Sequence, residues 1–173
     1  LMRPYFLGVF CFSITLLSCD QQKESNIKIS VEVSAPTKIT EKDISKLKFL
    51  EYSLDVKTEK EIENWTAFKE LEDLVIRVKK GDLIYFKDNN EAVTKFVTEL
   101  KEKIPDTLNT PSVNARITAL ETKIYKLESL YNLSTTSKDE LSLMIKEFLE
   151  SVSNLHLQMN KKLEKDSQII ETP

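Results

Sequence analysis

The reading of the fold turns on two consecutive stretches, Thr110–Tyr131 (TPSVNARITALETKIYKLESLY) and Ser137–Lys165 (SKDELSLMIKEFLESVSNLHLQMNKKLEK). In the first, Val113, Ile117, Leu120, Ile124, Leu127 and Tyr131 recur at alternating spacings of four and three. In the second, Leu141, Ile145, Phe148, Val152, Leu155 and Met159 do the same. That period puts one apolar stripe on one face of each helix, the pattern of helices that bury against helical neighbours. Thr110 with Pro111 forms a cap followed by an N1 proline, and Ser137 with Glu140 has the capping-box form. The short polar link Asn132–Thr136 sets the two helices antiparallel.

Working back toward the N-terminus, Asn90 to Lys103 reads as another helix, with Val93, Phe96, Val97, Leu100 and Ile104 on one face and Pro105 as its stop. Before it, Thr58-Glu59-Lys60-Glu61 has the form of a capping box, and Ile62, Trp65, Phe68, Leu71, Val75 and Val78 continue at helical spacing. Lys79-Lys80-Gly81 ends that helix, because basic last turns and a glycine after the C-cap both favour termination. Asp82–Phe86 reads as a short helical lead-in, and Leu47–Val56 as a strand or short helix. The expected fold class is all-α, an antiparallel four-helix bundle with an extended N-terminal tether. Its divisions are 1–18, 19–40 (tether), 41–57 (connecting segment), 58–165 (bundle) and 166–173 (tail).

The first eighteen residues read differently. Arg3 precedes a 13-residue apolar block, Tyr5–Leu17, whereas crossing a bilayer takes roughly 20 residues. A basic start, a short apolar middle and a small residue at the end suit a secretory signal peptide. Leu16-Leu17-Ser18-Cys19 resembles the lipobox of bacterial lipoproteins at all four positions. The resemblance implies diacylglyceryl transfer to the Cys19 sulfur and cleavage between Ser18 and Cys19, usually with acylation of the new N-terminus by a fatty acid such as palmitate. A thiolate is the strong nucleophile that such transfer requires.

Cleavage would leave 155 of the 173 residues, with 24 lysines and arginines against 28 acids. That is long enough for one domain with a core, and its mild acidity argues against nucleic acid as a partner. Cys11 leaves with the signal and Cys19 is acylated, so disulfides, thiolate metal sites and haem attachment lack their ligands. Gly81 is the one glycine after the signal, which starves hairpins and phosphate loops. Asp20–Thr40 is polar, with Ile27, Ile29, Val31 and Val33 in alternation, and reaches about 70 Å when extended at roughly 3.3 Å per residue.

The region Trp65–Leu163, including KKGDLIYF, LNTPSVNARITALETKIYKLE and NLHLQMNKKLEK, resembles a family of helical bacterial envelope lipoproteins. That resemblance implies a fold and an envelope location, without an activity or functional residues. Asp20 directly after the cysteine resembles an inner-membrane retention signal, while Gln22-Lys23-Glu24 resembles a surface-export signal. The family resemblance favours the outer membrane, with the face left open.

The rest of the chain carries no recognisable catalytic motif. GxSxG, Walker, HExxH and GxGxxG patterns are absent. His156 is the single histidine and has Ser153 three residues before it, where a ferritin-like site would have glutamate. It reads as a boundary residue, and no metal is expected. Glu70, Glu72 and Asp73 fall on a polar helix face and read as solvated surface. Trp65, Phe68, Tyr85 and Phe86 sit at core spacing, with the lining of a pocket for a small apolar ligand as the alternative. Lys161, Lys162 and Lys165 suit a helix C-terminus, with weak membrane contact as the lesser reading. The expectation is a non-enzymatic envelope lipoprotein, acting as a structural or protein-interaction module, with no cofactor beyond the covalent lipid. A periplasmic carrier of an apolar small molecule is the alternative.

Overall fold

A computed structural model describes residues 38–168. The expected signal peptide, Ser18, Cys19 and all but the last residues of the tether lie outside the described residues. Among those described, the chain is helical without strands: α1 (Glu41–Ile44), α2 (Val56–Glu61), α3 (Thr66–Lys79), α4 (Asn90–Glu102), α5 (Pro111–Asn132) and α6 (Lys138–Asp166), with a 3-10 turn at Ile84–Phe86. The four long helices, α3 to α6, form the expected bundle.

The α5–α6 pair makes the most extensive helix contact. The α5 helix buries five residues, Val113, Ile117, Leu120, Ile124 and Leu127, all on the heptad stripe. The α6 helix buries its stripe too, and adds Met144, Leu149, Ser151 and Ser153 beside it. A broader buried face means more neighbours: α6 also packs against α1 and α2. Both expected caps are present. The Thr110 hydroxyl accepts from Val113 N–H at 3.4 Å, and Ser137 and Glu140 exchange reciprocal bonds at 3.2 and 2.9 Å.

At the start of the bundle the capping expectation is corrected. The helix does not begin at Thr58; Asp55 is the N-cap, and its carboxylate accepts from Thr58 N–H at 2.8 Å and from the Thr58 hydroxyl at 2.9 Å. Thr58 is fully buried, so its hydroxyl needs an internal partner, which Asp55 supplies. The expected single helix is also broken, since α2 stops at Glu61 and α3 starts only after Trp65. Leu47–Val56, read as a strand or short helix, is irregular up to α2. It lies against α6 as a strap.

Gly81 ends α3 through a Schellman motif. Asp82 N–H reaches the Arg77 carbonyl at 3.0 Å and Gly81 N–H the Val78 carbonyl at 2.9 Å. The apolar contact that often seals this motif is replaced by an ion pair, with Arg77 Nε donating to Asp82 Oδ2 at 2.8 Å. Gly81 has φ +78°, and a Cβ there would stand 3.0 Å from the Ile39 carbonyl oxygen. The glycine therefore serves twice, ending α3 and letting the chain cross it closely on the way into α1. Asp43 of α1 is tied to Lys138 of α6 at 2.8 Å. The Lys138 bond, then the Thr40 hydroxyl, hold the Asp43 carboxyl well below the usual carboxylate range.

Two consequences are measurable. Ile124→Ala and Phe148→Ala remove fully buried side chains and should each lower unfolding free energy by about 2–5 kcal/mol, against about 0.5 or less for Lys95→Ala on the exposed face of α4. Urea denaturation of the three variants checks this. Gly81→Ala should cost about 2 kcal/mol by the same measurement, from the left-handed φ and the crowding at Ile39; an unchanged midpoint would contradict the dual role of this glycine.

Candidate functional site

The four aromatics read as core packing, with a pocket lining as the alternative, fall into two groups. Trp65 and Phe68, both essentially without exposure, stack with ring centroids 5.1 Å apart, and Phe68 continues to His156 at 5.7 Å. Tyr85 meets Phe86 at 5.6 Å and Phe96 at 6.2 Å, both edge-on. These are favourable aromatic geometries inside a close-packed core, and packing accounts for all four side chains. Surface grooves among the described residues include one of about 620 Å³ bordered by Val56, Lys57, Leu157 and Asn160, and one of about 350 Å³ bordered by Leu47, Phe49, Lys79 and Leu149. None of the four aromatics lines either groove.

His156 is held by the strap. Its Nδ1 lies 2.9 Å from the Tyr52 carbonyl oxygen, and because a carbonyl only accepts, Nδ1 carries the proton. The same face of α6 provides Ser153, whose hydroxyl accepts from Tyr52 N–H at 2.7 Å and donates to the Leu50 carbonyl at 3.0 Å. One turn further on, the Asn160 amide donates to the Ser53 carbonyl at 2.8 Å and accepts from Asp55 N–H at 3.1 Å. Three side chains thus bond five backbone groups of an extended segment that has no strand partner. Leaving such groups unpaired in a partly buried place costs about 1–3 kcal/mol each. Lys79 of α3 pairs with Glu51 across the strap.

The other nitrogen of His156, Nε2, is buried with no hydrogen-bond partner among the described residues, as is Trp65 Nε1. Protonating His156 would place a new N–H in that apolar setting beside Phe68. Burial accordingly lowers the His156 pKa, opposed by the Tyr52 carbonyl and by Glu51, with Lys79 adding to the lowering. Sequence alone picked out this histidine but not its neighbours. The signal was present, since Ser153, His156 and Asn160 each follow a stripe residue by one position, forming a polar line beside Val152, Leu155 and Met159.

Of the three carboxylates considered, Glu70 accepts from the Tyr85 hydroxyl at 3.2 Å, and Asp73 is exposed. Glu72 is partly buried, and desolvation first, then Asp73 and Glu59, push its pKa up. At the C-terminal end, Lys161 and Lys162 pair with Glu164 and Asp166 within α6, which takes two of the three lysines into local ion pairs. Among the described residues no group of three or more His, Cys, Asp or Glu could hold a metal ion, and no helix is long and apolar enough to cross a membrane.

No family model, curated protein or solved structure matches the chain.

The His156 environment fixes a sign for pH dependence. A histidine whose folded pKa lies below its unfolded value of about 6.5 binds more protons when unfolded, so stability falls as pH drops from above 6.5 toward the folded pKa. Urea midpoints should therefore decrease between pH 7.5 and 5.5. His156→Asn should flatten that slope in the same window, where the lowered carboxyls Asp43, Asp55 and Asp82 remain ionised; an unchanged slope in the variant would contradict the assignment.

Proposed function

We propose that this chain is a cell-envelope lipoprotein: a non-enzymatic helical domain held at a membrane through lipid on Cys19 and working through contacts with protein partners. The observation that carries the reading is Leu16-Leu17-Ser18-Cys19 at the end of a short apolar block with a basic start. The chemistry is internally consistent, because Ser18 is small enough for cleavage and Cys19 supplies the thiolate. The acyl groups would provide the attachment. One chain gives only marginal binding at roughly 0.8 kcal/mol per buried CH₂, so two or more chains, or one chain and a second contact, are needed.

Features of the domain support its use as a tethered module. The chain enters at Ile39, which is buried, and is fastened at once by the close approach to Gly81 and the Asp43–Lys138 pair. Tension on the tether would meet a braced point of entry. The outer membrane is the favoured location, on the envelope-lipoprotein resemblance, with the face left open.

Metabolic labelling with an alkyne fatty acid in a bacterial host tests the anchor. The wild-type protein should carry label and run in the membrane fraction, and Cys19→Ala should lose the label and accumulate as an uncleaved precursor. Label retained by Cys19→Ala would refute Cys19 as the attachment point.

A further inference from the structure

Ser153, His156 and Asn160 hold the strap at three points along α6, and of the three side chains the middle one alone changes its charge near neutral pH. Its two ring nitrogens stand in opposite conditions. Nδ1–H donates to the Tyr52 carbonyl at 2.9 Å. Nε2 is buried without a hydrogen-bond partner among the described residues, and Phe68 packs against the ring with centroids 5.7 Å apart. A bare imine nitrogen is tolerated in such a place. An imidazolium N–H is not, because a charged donor taken from water without an acceptor is among the costliest groups to bury.

The strap is also the element least able to resist. With no strand beside it among the described residues, its backbone is bonded through the five groups that α6 side chains reach. The Glu51–Lys79 pair and the packing of Leu47, Phe49 and Leu54 complete its attachment. Both ends are fastened separately, α1 by buried Ile44 and the Asp43–Lys138 pair, α2 by buried Thr58 and its Asp55 cap. The α5–α6 seam is made by the stripes of those two helices. Leu47–Leu54 can therefore leave as a closed loop, a local opening that costs less than unfolding the domain.

We propose that His156 is an acid-sensitive latch: a proton on Nε2 releases the strap from α6 while the four long helices stay folded. Water reaches Nε2 when the ring leaves its place, and a ring that leaves gives up the Tyr52 carbonyl. Burial disfavours the proton most; the Tyr52 carbonyl and Glu51 of the strap favour it, and Lys79 of α3 opposes it. Asp55, at the far end of the strap, is held below the usual carboxylate range by the Thr58 bonds and stays ionised near neutral pH. Opening frees the Ser153 hydroxyl and the Asn160 amide, which are already spaced for an extended backbone. The latch acts whether or not Cys19 carries lipid.

In the released state the ring lies in water with its ordinary pKa of about 6.5, and in the closed state its pKa is lower. The opening equilibrium therefore rises as pH falls below about 6.5, by up to about tenfold from pH 7.5 to 5.5. Amide hydrogen exchange of the full chain in neutral detergent, divided by the intrinsic rates at each pH, tests this. Tyr52 N–H and Asp55 N–H, bonded to Ser153 and Asn160, should lose protection by up to about tenfold over that range, while the Ile124 and Phe148 amides in α5 and α6 keep theirs. His156→Asn sets an amide N–H in the place of Nδ1–H and cannot titrate, so it should abolish the pH dependence. Ser153→Ala should speed strap exchange at both pH values with the dependence retained, and Glu51→Gln should retain it too. Ring ¹⁵N shifts of the single histidine should show Nδ1 protonated at pH 7.5 and a titration below about 6.5, a readout that needs no variant. Strap protection indifferent to pH, a loss shared equally by α5 and α6, a dependence that survives His156→Asn or disappears in Glu51→Gln, or a ring that titrates at or above about 6.5 would each overturn the latch.

Discussion

Burial of α6 on two sides is the constraint from which the rest of the arrangement follows. A helix with a heptad stripe needs one partner face, and α5 supplies it through the seam that includes Ile124 and Phe148. The α6 helix carries more than the stripe: Met144 and Leu149 are apolar beside it, and Ser151 and Ser153 are buried there as well. Exposing that flank would forfeit roughly 25 cal/mol for every Å² of apolar surface. The chain covers it with α1, the strap and α2, so residues 39–61, which precede the long helices, become part of the domain rather than a link to it.

Covering a helix flank with an extended segment raises a difficulty that a helix does not have. An extended backbone without a neighbouring strand leaves its N–H and C=O groups unpaired, and those facing the protein lose water. Ser153, His156 and Asn160 answer that need from one line of α6. This use explains why a lone histidine stands in that line, between Ser153 and Asn160. It also fixes the tautomer, with Nδ1–H on the Tyr52 carbonyl, and so leaves Nε2 as the group that would have to take a proton in an apolar place.

The same solution shapes the surface. Because the inner edge of the strap is bonded to α6 and Leu47, Phe49 and Leu54 pack against the core, Leu50 and Tyr52 are left facing out. Charge follows the same logic, with Glu51 drawn to Lys79 and the Asp55 carboxylate accepting from Thr58.

Periodicity and capping chemistry within single segments determined the long helices. The stripes of α5 and α6, the Thr110–Pro111 and Ser137–Glu140 starts, and the Gly81 stop were legible because each depends on residues within one or two turns. Local chemistry was ambiguous at Thr58, where a capping box and an Asp55 cap compete, and the burial of Thr58 decided for Asp55. Tertiary structure alone decided the break between α2 and α3, the division of Trp65, Phe68, Tyr85 and Phe86 into two clusters, and the role of His156. The role of His156 depends on a segment about a hundred residues away in the chain, with Tyr52 bonded to His156 and Leu50 to Ser153. No local pattern encodes which backbone group will arrive beside a side chain; that is set when the flank of α6 is buried.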